Sequence, residues 1–114
     1  MSPKPRSGAA ARRAHAPVFA ALGDETRLAL VSKLSQGEPC SIAQLTEGTE
    51  LTRQAVTKHL RVLTNAKIVR SVRSGRESLY ELNPAPLRAV RDYADVVSAQ
   101  WDSALGRLKA FVEK

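Results

Sequence analysis

Seven cationic side chains stand between residues 51 and 76, and no acidic residue lies among them. They are Arg53, Lys58, Arg61, Lys67, Arg70, Arg73 and Arg76. Guanidinium and ammonium groups form charge-assisted hydrogen bonds to phosphate oxygens, and a surface that binds a polyanion concentrates one sign of charge. The segment therefore favours nucleic-acid binding, with an ordinary solvated helix face as the alternative.

Residues 52–65 are predicted to form the helix that carries much of this charge. Val56, Leu60 and Leu63 recur at the spacing of one helix face, so we expect them to pack on a core. The polar residues fall on the other side, which is predicted to enter the major groove of DNA. The candidate DNA-binding residues of this helix are Thr52, Arg53, Gln54, Thr57, Lys58 and Arg61.

Individual side chains of this helix suit different parts of DNA. A helix in the major groove brings only its first turns close to base edges, which makes Gln54 and Lys58 the candidates for reading bases. Gln54 can pair with adenine through two hydrogen bonds, and Lys58 can donate to the acceptors of guanine. Thr52 stands at the helix start, where free N–H groups suit a phosphate.

A helix-turn-helix is predicted immediately before this recognition helix. Ser41 and Gln44 have the spacing of a capping box, which indicates a short helix that ends near Thr46. Residues 47–50 contain a glycine and can form the tight turn that joins the two helices. Thr52 can cap the second of them.

A β-hairpin is predicted after the recognition helix, because two β-prone runs flank a glycine turn. The tip of this wing, at about residues 73–77, is predicted to contact the minor groove, where narrow tracts attract arginine. The candidate DNA-binding residues of the tip are Arg73, Ser74, Gly75 and Arg76. The alternative is that Gly75 only serves the turn and the arginines keep an edge strand soluble.

The chain of 114 residues is predicted to hold one domain that folds without disulfides or metals. We expect a flexible basic tail at residues 1–16, a DNA-binding winged helix-turn-helix at 17–83 and a dimerisation helix of the same domain at 84–114. Before the charged segment, residues 17–22 are predicted to form one helix, and Asp24 to cap a second. That second helix is predicted to turn three apolar residues toward the core: Leu28, Val31 and Leu34.

The last helix carries a long apolar stripe and is predicted to begin at an Asn83 cap. Its members recur at spacings of three and four: Leu87, Val90, Ala94, Val97, Trp101, Ala104, Leu108 and Phe111. Since a helix of this length runs about 45 Å, one small domain cannot cover the stripe, and we expect a second copy to do so. The alternative is that the stripe packs wholly within its own domain.

The chain resembles the ArsR/SmtB family of bacterial winged-helix repressors from about Val18 to Leu82. The resemblance rests on FAALGDETRLALVSKL, EPCSIAQL, TRQAVTKHLRVLTNAKIV and SGRESLYELNP. It implies a homodimer that reads a palindromic operator with its fourth helix and is released by an inducer. The resemblance also places the first helix in the dimer interface, through Val18, Phe19 and Leu22. A two-fold dimer predicts half-sites about one DNA turn apart.

The chain departs from the family's metal sensors. Only Cys40 matches their two-cysteine box, because Ile42 stands at the second position, and residues 84–114 contain no histidine. A metal needs several converging ligands, so we expect neither a metal nor a cofactor. Lys67 stands where the family usually has a glycine, which leaves Asn65 or Lys67 to end the recognition helix.

No enzyme is expected, because no nucleophile with a base, no carboxylate pair and no phosphate loop appears. The chain has no membrane-length apolar run and no signal-peptide pattern, so we expect a cytoplasmic protein whose partners are double-stranded DNA and a second copy. His59 is predicted to pack or to contact one phosphate, and Trp101 to anchor the interface or line an effector pocket. The alternative functions are a winged-helix protein-interaction module and a nonspecific nucleic-acid-binding protein.

Overall fold

The computed structural model describes residues 8–113, which form five helices and one antiparallel hairpin. In chain order the elements are α1 (Gly8–Leu22), α2 (Glu25–Leu34), α3 (Ile42–Thr46), α4 (Arg53–Asn65), β1 (Val69–Ser74), β2 (Glu77–Leu82) and α5 (Pro84–Val112). Helices α3 and α4 form the helix-turn-helix, and the hairpin follows as the wing. The predicted fold class, mainly α with a two-stranded wing, is confirmed.

Two of the predicted caps fix where α3 and α4 begin. Ser41 Oγ accepts from the Gln44 N–H at 3.1 Å, and Gln44 Oε1 accepts from the Ser41 N–H at 2.8 Å, which completes the capping box. Thr52 Oγ1 accepts from the Ala55 N–H at 3.0 Å. Both predictions are confirmed, and the start of the recognition helix is held by its own sequence.

The end of α4 is closed by a left-handed residue. Lys67 has a φ of 63°, its N–H donates to the Thr64 carbonyl at 2.9 Å, and the Ile68 N–H donates to the Leu63 carbonyl at 2.9 Å. This is the double hydrogen bond of a Schellman motif. Asn83 occupies the N-cap position of α5, as predicted, but its side-chain amide donates to the Lys67 carbonyl at 3.1 Å and makes no cap hydrogen bond to α5.

The core lies between α1, α2, α4 and the base of the wing. Its buried apolar residues are Val18, Ala21, Leu30, Leu34, Leu45, Val56, Leu60, Leu63, Ile68, Val69 and Val90. The three apolar residues of α4 are among them, as predicted from their spacing. Leu28 is 51% exposed, so the prediction that it faces the core is wrong.

Helix α1 begins at Gly8, well before the residues predicted to be helical. Residues 8–16 were expected in a flexible tail but form helix, because the segment is rich in alanine, which has the highest helix propensity, and because it packs on α5. The ring centroids of His15 and Tyr93 are 4.8 Å apart. Residues 1–7 of the predicted tail lie outside the described residues.

Helix α5 packs on the domain only through its first half. Val90 is its last buried residue within the described part of the chain, although the helix continues to Val112. The radius of gyration is 18.6 Å, against about 13 Å for a compact domain of this size. The second half of α5 therefore projects past the rest of the molecule. No helix of the described region has the length and apolar character to cross a membrane.

Candidate nucleic-acid interface

The polar side of α4 is open to solvent. Arg53, Gln54, Lys58 and Arg61 are exposed, whereas Val56 on the other side is fully buried. Within residues 8–113, none of the three cationic side chains of this group has an ion-pair partner. Their charge is therefore available to a ligand, which is the state that phosphate binding needs.

Thr52 and Thr57 lie at the start of the same surface in different roles. Thr52 is exposed, and its hydroxyl oxygen accepts the cap hydrogen bond. The hydroxyl of Thr57 donates to the Arg53 carbonyl one turn earlier at 2.7 Å. The predicted contact residues of α4 thus share one face, but Thr57 has already used its only hydrogen.

The register of the wing sorts its side chains onto two faces. Ser71 pairs with Tyr80 and Arg73 with Ser78, and we call these four residues the inner wing face because Ser71 and Tyr80 line a groove with α4. Alternate residues point to the opposite face of a hairpin. The outer wing face therefore carries Arg70, Ser74, Glu77 and Glu81.

The acidic residues of β2 change the electrostatics predicted from the segment alone. Glu81 Oε1 accepts from Arg70 Nε at 2.8 Å, so this arginine is paired within the wing. Glu77 stands opposite Ser74 at the tip. The segment 51–76 is free of acid, but the hairpin surface is not; its free cationic groups are Arg73 and Arg76.

The wing tip is a two-residue turn formed by Gly75 and Arg76 between the paired residues Ser74 and Glu77. Gly75 has a φ of 62°, a conformation that residues with a Cβ rarely adopt. All the tip residues are exposed. The four residues predicted to contact DNA here, Arg73, Ser74, Gly75 and Arg76, therefore lie together at the end of the hairpin.

A groove separates α4 from the inner wing face, and we call it the α4–wing groove. Its lining residues are Thr57, Arg61, Thr64, Asn65, Ser71 and Tyr80. The sequence prediction of DNA-binding residues missed four of them: Thr64, Asn65, Ser71 and Tyr80. The alternation of the strand places Ser71 on the same face as Arg73, a signal that was present in the sequence, whereas the approach of Tyr80 to α4 depends on tertiary packing.

The position of Tyr80 is fixed by the chain before α3. The Cys40 N–H donates to the Tyr80 carbonyl at 2.9 Å, and the Tyr80 N–H donates to the Cys40 carbonyl at 2.7 Å. This bridge joins the helix-turn-helix to the wing. The Sγ of Cys40 lies 3.4 Å from the Glu38 carbonyl oxygen.

The part of the chain that the structure describes contains no group of three His, Cys, Asp or Glu residues able to hold a metal ion.

His59 lies in a polar cluster between α2 and α4. Its Nδ1 is 3.3 Å from Arg27 Nη1 and 3.8 Å from Asp24 Oδ2. Arg27 Nε donates to the Ala21 carbonyl at 2.6 Å, so the cluster ties α1, α2 and α4 together. The hydrogen bond from the Arg27 N–H lowers the pKa of Asp24, with smaller contributions from the charges of Arg27 and His59. His59 thus makes a partly exposed packing contact between α2 and α4.

The residues predicted for a dimer interface divide into two groups. Val18 and Val90, each 8% exposed, belong to the core of the single chain, and Leu22 and Leu87 pack against it. Val18 and Val90 are therefore not available to a second copy, because close packing with α1 and α5 of the same chain covers them. The residues that remain accessible are Phe19, Ala94, Val97, Trp101, Leu108 and Phe111.

The fold and this surface define a winged helix-turn-helix protein, and comparisons with known proteins identify its family. A helix-turn-helix domain model matches residues 22–72. The chain is 37% identical to the HTH-type transcriptional regulator Rv2034 of Mycobacterium tuberculosis over 75 residues, which cover 66% of this chain and 69% of that protein.

Solved structures agree with this match. The ArsR-like transcriptional regulator from Rhodococcus sp. RHA1 has a TM-score of 0.82 and 33% identity, and the match covers 94% of this chain and 97% of that chain. A homodimeric winged helix-turn-helix domain from Mycobacterium bovis shares the fold at a TM-score of 0.64 and 22% identity, over 88% of this chain and 92% of that chain. The chain belongs to the ArsR family of transcriptional regulators, as its sequence motifs predicted.

Proposed function

We propose that this protein is a transcriptional repressor that binds a palindromic operator as a homodimer. The observation that carries the proposal is the exposed face of α4 beside a wing tipped by Arg73 and Arg76. On that face Arg53, Lys58 and Arg61 have no ion-pair partner among residues 8–113. Two elements that present free cations side by side fit adjacent grooves of a DNA duplex.

The side chains of this surface divide into those that read bases and those that position the protein. Gln54 and Lys58, on the first turns of α4, are the proposed base contacts. Arg53, Arg61, Arg73 and Arg76 are the proposed phosphate contacts, and Thr52 presents the helix N-terminus to a phosphate. Each neutralised phosphate releases counterions, so the logarithm of the affinity should fall with the logarithm of salt by about 0.9 per contact.

A second copy of the chain is the proposed occupant of the exposed apolar face of α5. Trp101 is 63% exposed and Phe111 is 77% exposed in the single chain. A cleft of about 520 Å³ between α1 and α5, lined by Phe19, Val97 and Trp101 among others, continues this face. Contiguous exposed apolar side chains mark an interaction surface, and a structural neighbour of the same fold is itself named as homodimeric.

The dimer determines how the protein would read its site. Two-fold symmetry presents two copies of α4 to one side of the duplex, so each half-site lies about 34–36 Å from the other. We propose that the protein acts in the cytoplasm through binding alone, without a catalytic group, metal or cofactor.

Selection of bound fragments from random duplex DNA tests this function. Sequencing should give a palindrome, and footprinting should show protection of both half-sites. Reversal of charge at Lys58→Glu and Arg61→Glu should abolish binding. The matched control, Arg88→Glu with Arg107→Glu on α5, makes the same change in net charge away from α4 and should retain it.

The same experiment separates the alternatives. Equal affinity for every duplex would show a nonspecific nucleic-acid-binding protein and contradict the operator. A protein-interaction module would be favoured by two results together. The protein would bind no duplex at low salt, and both charge-reversed proteins would bind an acidic protein partner equally well.

A further inference from the structure

The α4–wing groove lies between the two elements that are proposed to contact DNA. When α4 occupies the major groove and the wing lies at the neighbouring minor groove, the strand between those two grooves passes between the two elements. In that arrangement the α4–wing groove would face this strand. Its volume is about 240 Å³, which is several times the roughly 30 Å³ that a water molecule occupies. The groove is therefore large enough for a phosphodiester group.

The groove side chains differ in whether they still have a hydrogen to donate. Thr57 Oγ1 donates to the Arg53 carbonyl at 2.7 Å, and Thr64 Oγ1 donates to the Leu60 carbonyl at 2.7 Å. Because a hydroxyl has one hydrogen, neither threonine can donate to a ligand in this conformation. These two residues shape the groove without serving as donors.

The other four lining side chains keep their hydrogens free. They are Arg61, Asn65, Ser71 and Tyr80. Between residues 8 and 113, none of these side chains has a hydrogen-bond or ion-pair partner. A guanidinium, an amide and two hydroxyls are all N–H or O–H donors, and a phosphate oxygen is an acceptor only.

The pleat of the wing keeps carboxylates out of this groove. Ser71 and Tyr80 face each other on the inner wing face, whereas Glu77 and Glu81 belong to the outer one. Glu81 is held there by Arg70 at 2.8 Å. The six lining residues therefore offer donors and one positive charge, with no negative charge to repel an anion.

We propose that Arg61, Asn65, Ser71 and Tyr80 bind one backbone phosphate of the DNA and thereby fix the wing relative to α4. The proposal rests on the proposed function, since it names a contact within that interface. A phosphate contact carries no sequence information. Loss of a donor should therefore weaken binding to every duplex equally, unlike loss of a base contact.

Two conservative variants test this contact. Tyr80→Phe removes only the hydroxyl and keeps the ring that packs against the core, and Ser71→Ala removes an exposed hydroxyl. Each should weaken binding by about three- to tenfold, on the selected operator and on an unrelated duplex of the same length alike. The control is Ser32→Ala on the exposed side of α2, which should bind as the wild type does. Thermal melting of each variant checks that it is folded.

Operators that carry a single uncharged methylphosphonate identify the phosphate itself. At one position in each half-site, Tyr80→Phe should no longer weaken binding, because the partner of the hydroxyl is already lost. Wild-type affinity in both Tyr80→Phe and Ser71→Ala would overturn the inference and leave the proposed function standing. A changed ratio between operator and unrelated duplex would overturn it in favour of a base contact. If the wild-type protein binds neither duplex, the proposed function fails and the inference fails with it.

Discussion

Two exposed residues proposed to contact DNA, Gln54 and Arg76, differ in their chemistry. Gln54 lies on the first turn of α4 and offers a donor and an acceptor in one plane, whereas Arg76 lies at the wing tip and offers only donors and charge. Planar pairing can distinguish one base from another, and a charge at a phosphate cannot. Substitutions at these two residues should therefore have different signatures.

Gln54→Ala should relax base preference at one position of each half-site, by about 1–3 kcal/mol of discrimination. Arg76→Ala should weaken binding to all duplexes and reduce the salt slope by about 1. Binding constants on operators with single base changes, each measured at several salt concentrations, check both results. If the two variants cannot be told apart in this way, the assignment of reading and positioning roles is wrong.

The carboxylate of Asp24 links stability to pH. Its pKa is lowered from 3.8 by the hydrogen bond from the Arg27 N–H, so the folded protein favours the ionised form. The stability that this preference contributes is complete above about pH 5 and is lost as the pH falls through the folded-state pKa. Asp24→Asn, which keeps the shape and can still cap α2, should lose less stability on acidification than the wild type does.

Urea unfolding followed by circular dichroism, at pH values from about 2 to 7, measures this difference. Asp102→Asn on the exposed second half of α5 is the control and should follow the wild-type curve. Parallel curves for Asp24→Asn and the wild type would show that the Asp24 carboxylate is not favoured by folding.

At the scale of elements, the helix and strand boundaries determine where the interface residues meet. The capping box at Ser41 and the cap at Thr52 fix the two helices of the helix-turn-helix from local sequence alone. The end of α4 is different, since Lys67 adopts a φ of 63° that side chains with a Cβ disfavour. The hydrogen bond from Asn83 to its carbonyl helps to hold this residue in place.

Lys67→Gly should stabilise the protein by about 0.5–1 kcal/mol, because glycine removes the left-handed strain at the end of α4. Chemical denaturation measures the change. Gly48→Ala is a matched test with the opposite expected sign. Gly48 has a φ of 77°, and no atom lies within 4 Å of the added Cβ, so the substitution should lower the free energy of unfolding by about 1 kcal/mol through backbone strain alone. A destabilised Lys67→Gly protein would mean that the lysine side chain contributes more than its backbone strain costs.

At the scale of the whole molecule, no residue in the second half of α5 is buried by the rest of the described chain, residues 8–113. Trp101, Leu108 and Phe111 are all more than half exposed and share one helix face. Val96 is also exposed but lies about 120° away around the helix from Leu108. The proposed dimer should therefore depend on one face of α5 and tolerate change on the other.

Leu108→Glu should shift the protein to a monomer, because the new charge would be buried in the interface. Val96→Glu adds the same charge outside it and should leave the dimer intact. Sedimentation equilibrium at micromolar concentration measures both, and operator binding should fall only in Leu108→Glu. A wild-type protein that sediments as a monomer would contradict the dimer itself.

Much of the fold followed from local patterns. The spacing of Val56, Leu60 and Leu63 predicted both α4 and its buried side, and the glycine turn predicted the wing. Leu28 had the same apolar character and the expected helical spacing, yet it is exposed. Periodicity shows which residues share a face, but only packing shows whether a neighbouring element covers that face.

The sequence by itself determined the elements, their caps and the concentration of positive charge, because helix propensity, capping and strand alternation act over a few residues. Tertiary structure decided which charges remain free and which side chains meet. Glu81 pairs with Arg70 across the two strands of the hairpin, and Tyr80 reaches the groove beside Arg61 because the wing packs on α4. Such contacts depend on how the elements pack in three dimensions, which no spacing of residues along one element specifies.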